Sequence, residues 1–213
     1  MGQPVPISLG GGYYVSDSLP LSNQRCLNVY VDIPQAVTLS EAILKGTAGL
    51  VQVATSGTVN QVNRGAHVKE GKPYFLNGET LYRLDRSVSL EGVESFSLVS
   101  LGTIPGTTRC SFADNGTQLI ILDTLGKGYI VNESASTVFQ EITDEDFKTT
   151  NGLPQFVVFV DTFFVVTTNT KRIIKSAANN GLDWLALDFT TASSDPDAIV
   201  APIVVKNKLT ILG

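Results

Sequence analysis

A unit of two short apolar strands around a tight turn comes back four times along this chain, and such a unit can bury its faces only against further copies of itself. The first copy runs Ala66-His67-Val68, a turn at Glu70-Gly71, Pro73 to Leu76, the dipeptide Asn77-Gly78, then Thr80 to Leu84. Asn-Gly between apolar runs marks a two-residue hairpin, because both residues tolerate the positive φ such turns require. The second copy is Ser111-Phe112-Ala113, Asp114-Asn115-Gly116, Leu119 to Leu122, Gly126-Lys127-Gly128 and Tyr129 to Val131. The third runs from Phe156 to Val160, turns at Asp161-Thr162, continues from Phe163 to Val166, turns near Asn169 and resumes at Arg172-Ile173-Ile174. A fourth opens at Ile203-Val204-Val205, turns at Lys206-Asn207 and continues from Leu209 to Leu212.

Taking Gly78, Gly116, Thr162 and Asn207 as equivalent turn positions gives steps of 38, 46 and 45 residues. Repeats of that length with three or four short strands each are the signature of a β-propeller blade. A two-layer sandwich with frequent turns is the alternative, but the whole hairpin motif recurs here rather than the strands alone. The expected fold is therefore an all-β propeller over residues 63–213, three blades and part of a fourth, after an irregular arm or small subdomain over 1–62. That first segment is turn-rich, with Gly10-Gly11-Gly12, Pro20 and Pro34, and one weak helical stretch from Ala36 to Lys45. Because the repeat stops after the second strand of its fourth copy, a longer parent protein is also expected. The structural turn residues singled out are Asn77, Gly78, Asn115 and Gly116.

Composition agrees with strands and turns. Only 16% of the 213 residues are charged, while Ser, Thr and Asn supply 50, beside 19 Gly and 9 Pro. Long helices with charged faces are disfavoured by that mix. The formal net charge of −5 lacks the basic excess of a nucleic-acid clamp. Cys26 and Cys110, with a single histidine at His67, offer no zinc-ligand spacing. The N-terminus carries no readable secretion signal or lipid anchor, and the longest apolar run, Phe156 to Val166, is too short to span a membrane as a helix.

Catalytic arrangements are equally scarce. His67 sits in an expected strand, and the chain has no GxSxG elbow to supply a nucleophile. Asp144/Asp146 and Asp195/Asp197 share the i, i+2 spacing of calcium loops without the central Gly and distal Glu. The first pair reads as a short helix start with Thr143 as cap, the second as a turn. Gly10-Gly11-Gly12 and Gly126-Lys127-Gly128 lack a phosphate-loop frame. Trp184, the sole tryptophan, lies in an alternating segment expected to be an outer blade strand. No enzyme activity, metal or cofactor is expected from these residues. A sugar-binding or glycoside-hydrolysing propeller is the alternative functional class, since propellers host such sites and clustered carboxylates would serve them.

Several segments together carry a family resemblance. They are Pro20-Leu21-Ser22-Asn23-Gln24-Arg25-Cys26-Leu27-Asn28-Val29-Tyr30, Arg64-Gly65, the hairpin from Tyr74 to Leu84, Ala192 to Val200, and Val204 to Gly213. In this order they resemble the tail hub or nozzle proteins of short-tailed bacteriophages, the packaged-DNA stabilisation proteins. The resemblance implies a structural virion protein of the phage tail, assembled in the host cytoplasm. It implies a hexameric ring below the portal and adaptor proteins that meets a tail needle or tail spikes. Packaged DNA would pass through its channel without sequence-specific binding, and no membrane would be involved.

Overall fold

The computed structural model describes residues 29–32, 43–56, 61–192 and 199–213. The chain divides into two compact units, 1–52 and 53–213. In the first, β1 (Val29–Asp32) and β2 (Ile43–Gly46) pair antiparallel with Val29 opposite Gly46. The helical expectation for Ala36 to Lys45 is thereby corrected at its C-terminal end. Ile43, Leu44 and Lys45 lie extended in β2, their backbone groups taken up by β1; the preceding residues lie outside those described.

The second unit repeats one architecture. Blade 1 comprises β3 (Asn63–Lys69), β4 (Lys72–Asn77), β5 (Thr80–Val88) and β6 (Glu94–Thr103) as an antiparallel meander. Blade 2 comprises β7 (Cys110–Asp114), β8 (Gln118–Asp123), β9 (Gly128–Asn132) and β10 (Phe139–Glu141). Blade 3 comprises β11 (Pro154–Val160), β12 (Phe163–Thr168), β13 (Arg172–Ala177) and β14 (Asn180–Thr191). A two-stranded sheet follows, β15 (Ala201–Val205) with β16 (Lys208–Leu212). The first strand of each sheet packs on the first strand of the next: β3 on β7, β7 on β11, β11 on β15. Four sheets joined in this way through their innermost strands are propeller blades.

The blade phase differs by one hairpin from the sequence expectation. Gly78 belongs to the β4–β5 turn, whereas Gly116, Thr162 and Asn207 belong to first hairpins. The true counterpart is Gly71, and the steps become 45, 46 and 45 residues. In the β3–β4, β11–β12 and β15–β16 hairpins both central residues have positive φ, at Glu70-Gly71, Asp161-Thr162 and Lys206-Asn207. That is the type I′ geometry whose twist matches paired strands.

At β4–β5 the two loop residues are Gly78 and Glu79, because Asn77 still pairs with Thr80. Gly78 has φ +59 and Gly116 φ +86, while Asn77 and Asn115 do not have positive φ. Asn115 serves its turn through its side chain, Oδ1 accepting from the N–H groups of Thr117 (3.0 Å) and Gln118 (2.6 Å). Replacing Gly78 or Gly116 by Val is expected to lower stability by about 1 kcal/mol or more, because a branched Cβ is strained at positive φ. Thermal melts of the two variants check this; unchanged midpoints would contradict the turn assignment.

β8 shows how the blades make a core. Its burial is continuous along all six residues, as a strand covered on both faces requires. Leu119 and Ile121 join Tyr74, Leu76, Leu81, Ile104, Tyr129 and Val131 in the layer between blades 1 and 2. Ile120 and Leu122 point the other way, into a layer with Ile130, Phe147, Val157, Phe164, Val166 and Trp184 between blades 2 and 3. The two-residue period of one strand thus glues both neighbours.

Candidate functional site

Much of the polar chemistry of the propeller unit lies at the junctions between blades. The densest cluster joins blades 1 and 2. Glu133, one residue past β9, accepts hydrogen bonds from Lys72 Nζ (3.1 Å), Arg83 Nη1 (2.7 Å) and the Tyr74 hydroxyl. Arg83 also grips Asp85 with two nitrogens, Nε at 2.6 Å and Nη2 at 2.5 Å. Such forked contacts are the strong form of an arginine–carboxylate pair.

Burial alone would raise the Glu133 carboxyl, but hydrogen bonds from Tyr74, Arg83 and Lys72 outweigh it and hold the group down at about 2. Burial, followed by the bond to Glu133, pushes the Tyr74 hydroxyl well above the ordinary tyrosine range. A carboxylate depressed on folding stabilises the fold above its unfolded value of 4.5 and ceases to as pH falls through that value toward about 2. After allowance for solvent screening of a partly exposed group, we expect about 2 kcal/mol from it at neutral pH. Urea midpoints near neutral pH and at about pH 3 should therefore differ more for the natural chain than for Glu133→Gln. Equal acid losses in the two would refute the role.

Two further ties cross the same junction. His67 Nε2 lies 2.6 Å from Asp114 Oδ2, with its ring stacked parallel to Phe112. Lys69, almost fully buried, directs Nζ to the carbonyls of Gly116 and Thr117, both at 3.3 Å. His67 is thus engaged with the neighbouring blade. Blades 2 and 3 are joined by Ser111 Oγ, which accepts from Val157 N (3.1 Å), and by Gln118 Oε1, which accepts from Gly181 N (2.8 Å). Asn115 Nδ2 donates to Asn179 O (3.3 Å). Asn207 Nδ2 reaches Asp161 Oδ1 (2.5 Å) from the last sheet.

The sequence-marked carboxylates are used internally. Asp144 accepts from Asp146 N (2.8 Å) and Trp184 N (3.1 Å), and Asp146 from Ala186 N (3.1 Å). The expected helix start is a single π-helical turn, Asp146–Thr150, and its N-cap is corrected from Thr143 to Glu145, whose side chain makes no capping bond; the Asp144 carboxylate takes up the Asp146 N–H instead. Trp184 is buried in β14 against Phe147, with ring centroids 4.9 Å apart. Gly126-Lys127-Gly128 closes the β8–β9 turn and enters β9 at Gly128, and Asp123 Oδ1 accepts from Leu125 N and Lys127 N. The Cys110 thiol is half-buried and raised by that burial. Among the described residues, no group of three or more His, Cys, Asp or Glu could hold a metal ion. Asp195, Asp197, Cys26 and Gly10-Gly11-Gly12 lie outside the described residues. Sequence reasoning named Arg64 only within the Arg64-Gly65 segment of the resemblance and gave no role to Lys69, Arg83 or Glu133; apart from Asp85, two residues from Arg83, their hydrogen-bond partners are distant in sequence and leave no periodic trace.

Comparison with known families places this arrangement. A family model described as Phage_stabilise, Bacteriophage P22 Gp10, beta-propeller, matches residues 3–213. The chain belongs to this family. It is thus a packaged-DNA stabilisation β-propeller of the phage structural class, and the junctions above are how this Phage_stabilise chain ties its blades together. No curated protein matches the chain. Among solved structures, BamB from Moraxella catarrhalis is similar at 15% identity and a TM-score of 0.46, covering 72% of this chain and 42% of that one. Kluyveromyces lactis Hsv2 is similar at 11% identity and a TM-score of 0.37, covering 72% and 46%. This Phage_stabilise chain spans less than half the length of either.

Proposed function

We propose that this protein is a structural part of a short phage tail that continues the DNA channel below the portal and adaptor, retains the packaged genome, and passes it at ejection. The family match over residues 3–213 carries the reading. Six copies would form the ring, assembled in the host cytoplasm and contacting the portal–adaptor complex above and a needle or spikes below. Physical chemistry supports a conduit. A net charge of −5 carries no basic excess to hold DNA phosphates, which suits a duplex that slides rather than binds. A surface rich in Ser, Thr and Asn costs less to desolvate at subunit contacts than an ionised one. The residues most suggestive of other chemistry, His67, Asp144, Asp146 and Trp184, are engaged in contacts within the fold.

The test is to assemble particles with and without the protein and to measure the DNA that stays nuclease-protected after filling. The reading expects particles lacking it to fill and then lose their genomes. Undiminished retention would overturn it.

A further inference from the structure

Four of the twelve asparagines are followed by glycine: Asn77-Gly78, Asn115-Gly116, Asn151-Gly152 and Asn180-Gly181. Asn-Gly is the dipeptide most prone to spontaneous deamidation, because glycine offers no side chain to hinder the reaction. In that reaction the glycine amide nitrogen loses its proton and attacks the asparagine Cγ. A new bond forms between that nitrogen and Cγ, the bond from Cγ to Nδ2 breaks, and ammonia leaves. Water then opens the succinimide at either carbonyl to give Asp or its β-linked isomer.

In this fold every one of the four attacking nitrogens donates a hydrogen bond. Gly78 N donates to Val62 O (2.8 Å) and Gly152 N to Thr149 O (3.2 Å). Gly116 N donates to Asp114 Oδ1 (2.9 Å) and Gly181 N to Gln118 Oε1 (2.8 Å). The carboxamides are held as well. Asn77 Nδ2 donates to Ser56 Oγ, Asn115 Nδ2 to Asn179 O, and Asn151 Nδ2 to Ala186 O. Asn180 Oδ1 accepts from Leu182 N. A donated N–H is harder to deprotonate, most of all beside the Asp114 carboxylate, and its nitrogen is aimed at the acceptor instead of at Cγ.

We propose that the native fold protects its four Asn-Gly sites from deamidation by occupying each glycine N–H, and that Asn180 becomes a modification site when blades 2 and 3 part. At that site the acceptor, Gln118, stands on the neighbouring blade, so the protection depends on the blade junction itself. The other three acceptors are closer in sequence and survive blade separation.

Ageing the full chain in warm, mildly alkaline buffer, native and in denaturant, and mapping both by peptide mass spectrometry tests this. Native protein should deamidate at each of the four sites at least about tenfold more slowly, the factor one ordinary amide hydrogen bond imposes. Asp114→Ala should accelerate Asn115 alone, Asp114→Asn, which keeps the acceptor oxygen, should not, and Gln118→Ala should accelerate Asn180 alone. If Asp114→Ala does not fold, all four sites react together at denatured rates, and Gln118→Ala supplies the site-specific reading. Equal native and denatured rates, or folded variants without local acceleration, would overturn the proposal.

Discussion

Replacing Arg64 by Ala should destabilise the protein by about 3 kcal/mol. Arg64 is 1% exposed, and its guanidinium is spent on backbone carbonyls. Nε donates to Thr108 O (2.7 Å), Nη1 to Ile104 O (2.5 Å) and Gly78 O (3.2 Å), and Nη2 to Pro105 O (3.3 Å). These carbonyls belong to the β4–β5 turn and to the crossing from β6 to β7, which leads from blade 1 into blade 2. Truncation leaves several of them buried without a donor, at about 1–3 kcal/mol each before relaxation and water entry reduce the sum. Arg64→Lys should recover less than half, because an ammonium lacks the flat fork that reaches carbonyls on two sides. Urea unfolding measures both variants. A loss below about 1 kcal/mol for Arg64→Ala would mean that the connection is held by other contacts.

The largest apolar effect is expected at Phe147, where Ala should cost about 4 kcal/mol. The side chain is fully buried in the connection between blades 2 and 3. It packs on Trp184 at 49° between ring planes and reaches over Gly128, where an added Cβ would lie 2.5 Å from Phe147 Cζ. Nothing larger than glycine fits under that ring, so removing the ring opens a cavity between two blades that cannot easily collapse. Because Trp184 is the only tryptophan, its fluorescence reports the same event. Phe147→Ala should shift the emission toward longer wavelength before unfolding, and Phe147→Leu should shift it less. An unchanged spectrum with an unchanged midpoint would contradict this packing account.

How far the fold could be read from the sequence follows from which signals are local. The turns Asp161-Thr162 and Lys206-Asn207 are flanked by apolar strands in the sequence and stand as first hairpins in the structure. The run from Leu119 to Leu122 is apolar on both faces, and it becomes a strand covered from both sides. The phase error in blade 1 has a definite origin. Asn77-Gly78 is the stronger turn dipeptide, yet Glu70-Gly71 is the first-hairpin counterpart, so local turn strength outweighed blade order. Ile43, Leu44 and Lys45 have helical spacing but are drawn into β2 by pairing with β1, a partner eleven or more residues away. The blade ties were least legible, since Tyr74 and Glu133 are 59 residues apart and meet only once both blades exist. Arg64 likewise gave no hint of burial, because its partners are carbonyl oxygens, which every residue carries.

The central claim is that these repeated four-stranded blades form a tail component that keeps packaged DNA in place. Electron cryomicroscopy of mature particles tests it most directly. The account expects density for these blades at the vertex where DNA exits, arranged in a ring around the DNA path. Mature particles without the protein, or with it bound to the capsid shell away from that vertex, would contradict the claim.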